Sequence, residues 1–194
     1  MSQETIEYII SITSKDRIGI VHEISSALAG LAGNIEDSHQ TILCGYYTMI
    51  MRTAFPASVS LQAIKDGLAA VDAQSPTPMN ILVHLAEEAL PQAGSENRYV
   101  LTASGADQIG FVAKVSGFCV EHQINILDLS TTLSDGEFVM MLEVDLSRCV
   151  SIDEIRQALA VFGQMQDLKV ALQHHDIFKA INEISLPIRP NGEG

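Results

Sequence analysis

Short runs of β-branched and other apolar residues alternate along the chain with longer stretches in which apolar residues recur every three or four positions. The run EYIISIT, residues 7–13, predicts a strand, because strands are short and rich in such side chains. The stretch after it predicts a helix with one buried stripe. The residues in phase are Val21, Ile24, Leu28 and Leu31.

The pattern then predicts two more strands, a second helix and a closing strand. NIEDSHQTIL, residues 34–43, turns at Gly45 into YYTMIMRTAF, residues 46–55, which is the signal of a hairpin. A helix fits residues 60–71, and Ser60 is placed to cap it. The run MNILVHLAE closes the unit as a strand.

The same succession recurs at an offset of 91 residues. DRIGIVHEISSALAGLAGNIED begins at Asp16, and DQIGFVAKVSGFCVEHQINILD begins at Asp107. From Tyr8 to Thr53, 12 of the 46 residues are identical to their counterparts without a gap, which indicates a duplicated unit. The order βαββαβ, twice, predicts an α+β fold of two tandem ferredoxin-like units with antiparallel sheets.

The second copy supplies a counterpart for each element of the first. Its strands are predicted at RYVLTAS, at NILDLSTTL and EFVMMLEVDL, and at DLKVALQH. The helix residues in phase are Val112, Val115 and Cys119, the hairpin turn is Asp135–Gly136, and the second helix spans residues 151–162 with Ser151 as its cap.

These elements predict four segments. A first domain covers residues 1–90, and the turn-rich stretch PQAGSEN, residues 91–97, links it to a second domain at 98–174. Residues 175–194 form a C-terminal helix and tail. The apolar face of that helix is predicted to hold Ile177, Ala180, Ile181 and Ile184.

The third strand of each copy is apolar in both phases. Thr48 and Ile50 oppose one apolar face in the first copy, and Val139 and Met141 do so in the second. A sheet with helices on one side only is expected to alternate apolar and polar residues. We therefore expect the second face of each sheet to be covered, by the sister unit or by another chain, with ordinary exposed apolar surface as the alternative.

Composition narrows the class of protein. The 194 residues are 47% hydrophobic, which is enough for a packed core, and no apolar run is long enough to span a membrane. The N-terminus lacks the features of a signal peptide, and three cysteines without a CxxC motif predict reduced, partly buried thiols. We expect a cytoplasmic protein. The net charge of −13, with no cluster of Lys and Arg, argues against direct binding to nucleic acid.

The strand, DRIGIV, helix and NIED sequence resembles the ACT domain family, whose small βαββαβ modules bind amino acids and regulate other proteins. Two such units without an attached enzyme resemble the glycine cleavage system transcriptional repressor family. GNIEDS, followed by an aliphatic strand, a glycine and an aromatic-rich strand, carries that resemblance most closely. It implies a homo-oligomer that binds a small amino acid, needs no cofactor, and acts through contact with a partner protein, a DNA-binding activator.

The loop that enters each first helix is the expected ligand site. Unpaired N–H groups at a helix N-terminus favour an anion such as the carboxylate of an amino acid, and a glycine there allows close approach. Asparagine offers donors and acceptors at the start of the next strand. The predicted residues are Asp16, Ile18, Gly19, Ile20, Asn34 and Ile35 in the first copy and Asp107, Ile109, Gly110, Phe111, Asn125 and Ile126 in the second.

Structural roles compete with ligand binding at most of these positions. Asp16 and Asp107 are well placed as helix N-caps. The glycines can serve only close packing between units, and Asn34 and Asn125 can serve a left-handed turn after the helix. Asp37 and Asp128 can supply a carboxylate for the ligand's ammonium group, or they can be solvated strand residues.

No motif indicates catalysis, and we expect a non-catalytic protein. The alternative is a small ferredoxin-like enzyme or metal-binding protein that uses His174, His175 and Asp176. Adjacent residues of a strand point to opposite faces, so that His174 and His175 could not easily share an ion if the strand continued through them. A strand-to-helix junction capped by Asp176 accounts for the cluster more simply.

Overall fold

A computed structural model describes residues 4–87, 94–134, 136–149 and 151–183. Contacts divide the chain into two units, residues 1–90 (unit 1) and residues 91–194 (unit 2). Each unit has its own sheet, its own pair of helices and its own apolar core.

Unit 1 is a four-stranded antiparallel sheet with strand order β2-β3-β1-β4 and two helices. One central strand, β1, precedes the first helix, and the other, β3, precedes the second. The strands β2 and β4 form the edges of the sheet. The elements are β1 Thr5–Lys15, α1 Ile20–Gly30, β2 Asn34–Leu43, β3 Tyr46–Pro56, α2 Leu61–Gln74 and β4 Met79–Leu85.

Unit 2 repeats this topology, with strand order β6-β7-β5-β8, and adds a C-terminal helix. The predicted fold, two βαββαβ units and an extra helix, is therefore confirmed. A short 3₁₀ turn, Ser95–Asn97, precedes the sheet. The elements are β5 Arg98–Ala106, α3 Phe111–Glu121, β6 Asn125–Ser134, β7 Glu137–Asp145, α4 Ile152–Gln166, β8 Lys169–His174 and α5 His175–Glu183.

The repeat holds at the level of the backbone. Tyr8 pairs with Thr53 across unit 1 as Tyr99 pairs with Val144 across unit 2. Each second strand carries a bulge at the same place, after Ile35 and after Ile126. Left-handed residues also recur at the 91-residue offset, as the pairs Gly19 and Gly110, Ala32 and Gln123, and Gly45 and Gly136.

The two cores are built from one face of each sheet and the facing sides of the helices. Alternate residues of β1 and β3, and of β5 and β7, are buried, as period-two burial requires. Ile10, Ile12 and Phe55 are fully buried in unit 1, and Leu101, Met140 and Leu142 take the corresponding role in unit 2.

The predicted stripe of the first helix is wrong at its N-terminal end. Val21 is 44% exposed and Val112 is 39% exposed, whereas Ile20 and Phe111 are buried. The helices begin at residues 20 and 111, so the core-facing positions are Ile20, Ile24 and Leu28, four residues apart. The first turn therefore presents the residue before each valine to the core.

The outer faces of the sheets differ between the units. Thr48 and Ile50 are exposed in unit 1, and Ile50 is 49% exposed, whereas Val139 and Met141 are half-buried in unit 2. Coverage of these faces by a second unit or another chain stays a prediction.

The three cysteines differ in burial. Cys119 is buried and Cys149 half-buried, but Cys44 is exposed because it occupies the β2–β3 turn, so the prediction of partial burial is wrong for Cys44. The turn itself is confirmed: Cys44 and Gly45 both have positive φ, as a tight two-residue hairpin requires.

No helix within the described ranges has the length and apolar character needed to cross a membrane. Asp135 lies outside the described residues, as does Ile184.

Candidate functional site

The loop between β1 and α1 ends in a glycine whose backbone conformation sets the start of the helix. Gly19 is the N-cap of α1 with φ +100°, and Gly110 is the N-cap of α3 with φ +87°. No side chain caps either helix. The prediction that Asp16 and Asp107 act as N-caps is therefore wrong, since each lies three residues before the capping position.

Close packing does not explain these glycines within their own units. A Cβ on Gly110 would meet nothing within 4 Å, and one on Gly19 would approach only side-chain atoms of Glu23 and Arg17, at 3.5 and 3.7 Å. The positive φ is what requires glycine, because other residues reach that region only with strain.

Arg17 holds the loop of unit 1 in place. Its Nη1 donates to Glu23 Oε1 at 2.7 Å and to the Ile18 carbonyl at 3.3 Å, and its Nη2 donates to the other oxygen of the Glu23 carboxylate. Nη2 also donates to Ser75 Oγ at 2.8 Å, and Nε donates to Thr77 Oγ1 at 3.2 Å. The guanidinium therefore ties the loop to both α1 and the α2–β4 connection.

This network perturbs the two charged groups in opposite directions. The hydrogen bonds from Arg17 lower the pKa of the Glu23 carboxyl, and the same bonds raise the pKa of Arg17. Sequence reasoning missed Arg17, because its partners Ser75 and Thr77 lie 58 and 60 residues away in the chain. The sequence did offer one signal for a role of Arg17. Arg17 and Glu23 carry opposite charges and lie six residues apart across the start of a helix.

A hollow of about 460 Å³ lies beside the N-terminus of α1. The loop contributes Asp16 and Gly19, and the neighbouring strands contribute Gln40, Ile42 and Tyr47. Tyr47 Oη donates to Gln40 Oε1 at 3.1 Å. Burial raises the pKa of the Tyr47 hydroxyl, and the nearby Asp16 carboxylate adds to the effect. The hollow thus combines a helix N-terminus, a carboxylate, an amide and an apolar side chain.

The corresponding place in unit 2 is built differently. Phe111 and Phe138 occupy the positions of Ile20 and Tyr47, and their rings pack edge to face with centroids 4.9 Å apart. Thr131 stands where unit 1 has Gln40. The Arg17–Glu23 pair is replaced by Gln108 and Lys114, joined by one exposed hydrogen bond of 3.2 Å. Unit 2 therefore carries fewer polar groups at this place.

The remaining predicted residues lie at the other end of each sheet. Asn34 and Asn125 are the first residues of β2 and β6, as expected, and both are exposed. Asn34 is paired with Ala54, while Leu43, at the far end of β2, is paired with Tyr46 near the loop. Asn34 and Leu43 are nine residues apart along β2, which corresponds to about 30 Å. Asn34 and Ile35 therefore lie far from the β1–α1 loop of their own unit. Asn125 and Ile126 are separated from Gly110 in the same way.

The asparagines do not adopt the left-handed turn considered for them. That conformation belongs to Ala32, with φ 57°, and Gln123, with φ 56°. Asp37 is paired with Arg52 in β3, and Asp128 is paired with Glu143 in β7, just after each bulge.

Two predicted residues are fully exposed apolar side chains. Ile18 is 100% exposed and Ile109 is 103% exposed, whereas Ile20 and Phe111 are 2% exposed and belong to the cores. A ligand in the hollow can therefore meet Ile20 through its backbone, but not through its side chain. Exposed Ile18 and Ile109 are available to a ligand or to another protein surface.

The His174–Asp176 cluster sits at a strand-to-helix junction, as expected. β8 ends at His174 and α5 begins at His175, so that Asp176 lies in the first turn of the helix and not before it. The Asp176 amide donates to His174 Nδ1 at 3.3 Å, and the His174 ring packs on Tyr99 with centroids 5.1 Å apart. Across the described ranges no three His, Cys, Asp or Glu side chains are grouped to hold a metal ion.

Comparison with known sequences matches both units to one family. The sequence model of the ACT domain matches residues 7–74 and 97–173. A UPF0237 protein of Listeria monocytogenes is 40% identical over 88 residues, which cover 45% of this chain and 99% of the relative. A UPF0237 protein of Methanopyrus kandleri is 38% identical over 88 residues, with 45% and 98% coverage. These relatives are about as long as one unit.

Comparison with solved structures extends the likeness to the two-unit chain. An unknown protein from Galdieria sulphuraria superposes with a TM-score of 0.71 and 26% identity, covering 88% of this chain and 98% of its own. A candidate glycine cleavage system transcriptional repressor superposes with a TM-score of 0.69 and 17% identity, covering 87% and 96%. At 17% identity the second likeness concerns the fold alone.

Proposed function

The chain belongs to the ACT domain family, and from that premise we propose that it is a non-catalytic regulatory protein that binds a small amino acid and acts through contact with a partner protein. The observation that carries the proposal is the hollow at the N-terminus of α1 in unit 1. Its chemistry matches the two charged groups of an amino acid.

Each group in the hollow has a counterpart in such a ligand. The first-turn N–H groups of α1, which the left-handed Gly19 leaves without a side-chain cap, favour a carboxylate. The Asp16 carboxylate suits an ammonium group, and Gln40 can accept or donate a further hydrogen bond. Ile42 offers a small apolar surface, which favours a ligand with a short side chain.

The asparagines enter the proposal through a neighbouring unit. β2 holds Asn34 about 30 Å from the loop of its own unit, so a ligand that used both would lie at an interface between ACT units. We propose such an interface in a homo-oligomer. Ligand binding there would change how firmly two units are held together, and a partner protein could sense that change.

The likeness to a candidate glycine cleavage system transcriptional repressor directs the choice of ligand and partner. We propose a cytoplasmic role in the transcriptional regulation of glycine and one-carbon metabolism, exerted on a DNA-binding activator. Glycine and serine are therefore the first amino acids to test.

A thermal-shift screen of the standard amino acids, followed by calorimetry, tests ligand binding. A ligand at about 100 times its dissociation constant adds about 2.7 kcal/mol to stability, so a true ligand raises the melting temperature measurably. We expect Asp16→Asn to weaken binding about tenfold or more, because the ammonium group loses its charged partner.

Asp107→Asn is the matched control, since it makes the same change at the equivalent position of unit 2. We expect it to affect binding less, because Phe111 and Phe138 pack together where unit 1 has its hollow. The proposal fails if no amino acid stabilises the protein, or if the identified ligand binds wild type and Asp16→Asn equally well.

A further inference from the structure

An apolar groove of about 750 Å³ runs between α3 and α4 of unit 2, away from the hollow described above. Its floor includes Phe118, whose ring lies 5.0 Å from that of Phe162 and 4.3 Å from that of His122. On its rim, Val161 is 56% exposed and Met165 is 76% exposed. Large apolar side chains on a helix surface indicate a contact with another protein when they cluster in this way.

Unit 1 fills the equivalent position with an apolar side chain. There Leu31 packs between α1 and α2, and a Cβ on Gly67 would lie 3.0 Å from its side chain. In unit 2 these two positions are His122 and Ala158. The exposed Val161 and Met165 likewise correspond to Ala70 and Gln74. The exposed apolar rim is therefore a feature of unit 2 that unit 1 does not share.

The charges along α3 indicate what fills the groove. Lys114, Gly117, Phe118 and Glu121 all line it, so they share one face of the helix. Lys114 and Glu121 are two turns apart, about 10 Å along the axis, with Gly117 and Phe118 midway between them. A second α3 that runs antiparallel across this midpoint brings its Glu121 opposite Lys114 and its Lys114 opposite Glu121.

Gly117 makes the close approach possible. It is exposed, and a Cβ added to it would meet nothing within 4 Å. Two helices can therefore cross near this residue at a short interaxial distance. A parallel arrangement is disfavoured, because it places like charges opposite one another.

We propose that the α3–α4 groove is a homodimer interface, in which α3 of a second copy of this chain lies antiparallel in the groove of the first. The two Lys114–Glu121 pairs flank the two-fold axis, and Val161 and Met165 of each copy cover the partner helix. In the single chain Lys114 donates to Gln108 Oε1 at 3.2 Å. In the dimer it would donate to Glu121 of the partner subunit instead.

Light scattering after size-exclusion chromatography, supported by sedimentation velocity, tests the proposal on the full chain. We expect wild type to self-associate through α3 and Gly117→Gln to have half the wild-type mass, with an unchanged circular dichroism spectrum because Gln suits a helix better than Gly. Ser26→Gln is the matched control at the equivalent exposed position of α1, and we expect it to leave the oligomeric state unchanged.

A charge swap separates this interface from any other. Lys114→Glu and Glu121→Lys each place like charges across the two-fold axis, and we expect each to weaken self-association about tenfold. The double variant restores opposite charges and should recover dimerisation. A monomeric wild type overturns the proposal and leaves the groove to a helix of another protein. A wild-type mass that both Gly117→Gln and Lys114→Glu retain overturns it as well.

Discussion

At the scale of the residue, the backbone conformation of one glycine in each unit determines how the loop of the candidate site enters its helix. Gly19 and Gly110 turn the chain from a strand into a helix with φ +100° and +87°. A side chain that merely fitted the space would still be strained there, because the left-handed region costs a non-glycine residue about 1–2 kcal/mol. The repeated glycine is thus explained by local geometry before any ligand is considered.

Gly19→Ala should therefore destabilise unit 1. We expect a loss of about 1 kcal/mol or more in the free energy of unfolding, measured by urea denaturation, because alanine cannot relax into a φ near +100°. Had Gly19 been an ordinary helical residue, alanine would have stabilised the helix instead.

Gly30→Ala is the matched control within the same helix. Gly30 has no positive φ, and an added Cβ would meet nothing within 4 Å. We expect it to be neutral or stabilising by up to about 1 kcal/mol. Equal effects of the two substitutions would contradict the assignment of backbone strain to position 19.

The hydrogen-bond partners of Arg17 illustrate why the site was less predictable than the fold. The strands and helices follow from hydrophobic periodicity, which is a local property, and the repeat fixed their order a second time. Arg17 instead meets Ser75 and Thr77 through tertiary packing, which no spacing in the sequence encodes. The sequence likewise placed Asn34 in the right element but could not place it at the far end of the sheet from Gly19.

At the scale of the element, equivalent helices of the two units begin in different ways. Ser60 caps α2, and its Oγ accepts from the Ala63 amide at 3.2 Å. Ser151 occupies the same position before α4, but its side chain makes no capping hydrogen bond. Sequence reasoning treats the two serines alike, whereas their backbones differ: φ is −76° at Ser60 and −158° at Ser151. Asp153 and Glu154 lie in the first turn of α4. Their negative charges interact favourably with the positive end of the helix dipole and so stabilise the helix start without a cap.

Ser60→Ala and Ser151→Ala should then have unequal effects. We expect Ser60→Ala to cost about 1 kcal/mol, the usual value for a lost N-cap, and Ser151→Ala to cost no more than a few tenths. Hydrogen exchange of the first-turn amides reads each helix separately, which avoids assuming that the two units unfold together. Equal protection losses in α2 and α4 would show that Ser151 caps its helix in solution.

At the scale of the whole molecule, positive charges are few, and several of them are paired with carboxylates. The chain has 11 Lys and Arg against 24 Asp and Glu. Within the part of the chain that the structure describes, ion pairs with carboxylates are formed by Arg17, Arg52, Arg98, Arg156 and Lys169. Each pair neutralises one positive charge where it lies.

The purified protein should therefore not bind duplex DNA on its own at physiological salt. Protein–DNA affinity comes largely from the release of counterions as Lys and Arg neutralise phosphates, and a surface of net charge −13 repels the duplex instead. Fluorescence anisotropy with a labelled duplex, repeated at low salt, measures this directly. We expect no saturable binding in either condition, and addition of a DNA-binding partner should be needed before the protein appears in a complex with DNA. Sub-micromolar binding without a second protein would contradict an indirect mode of regulation, because the chain would then hold the duplex directly despite its net charge of −13.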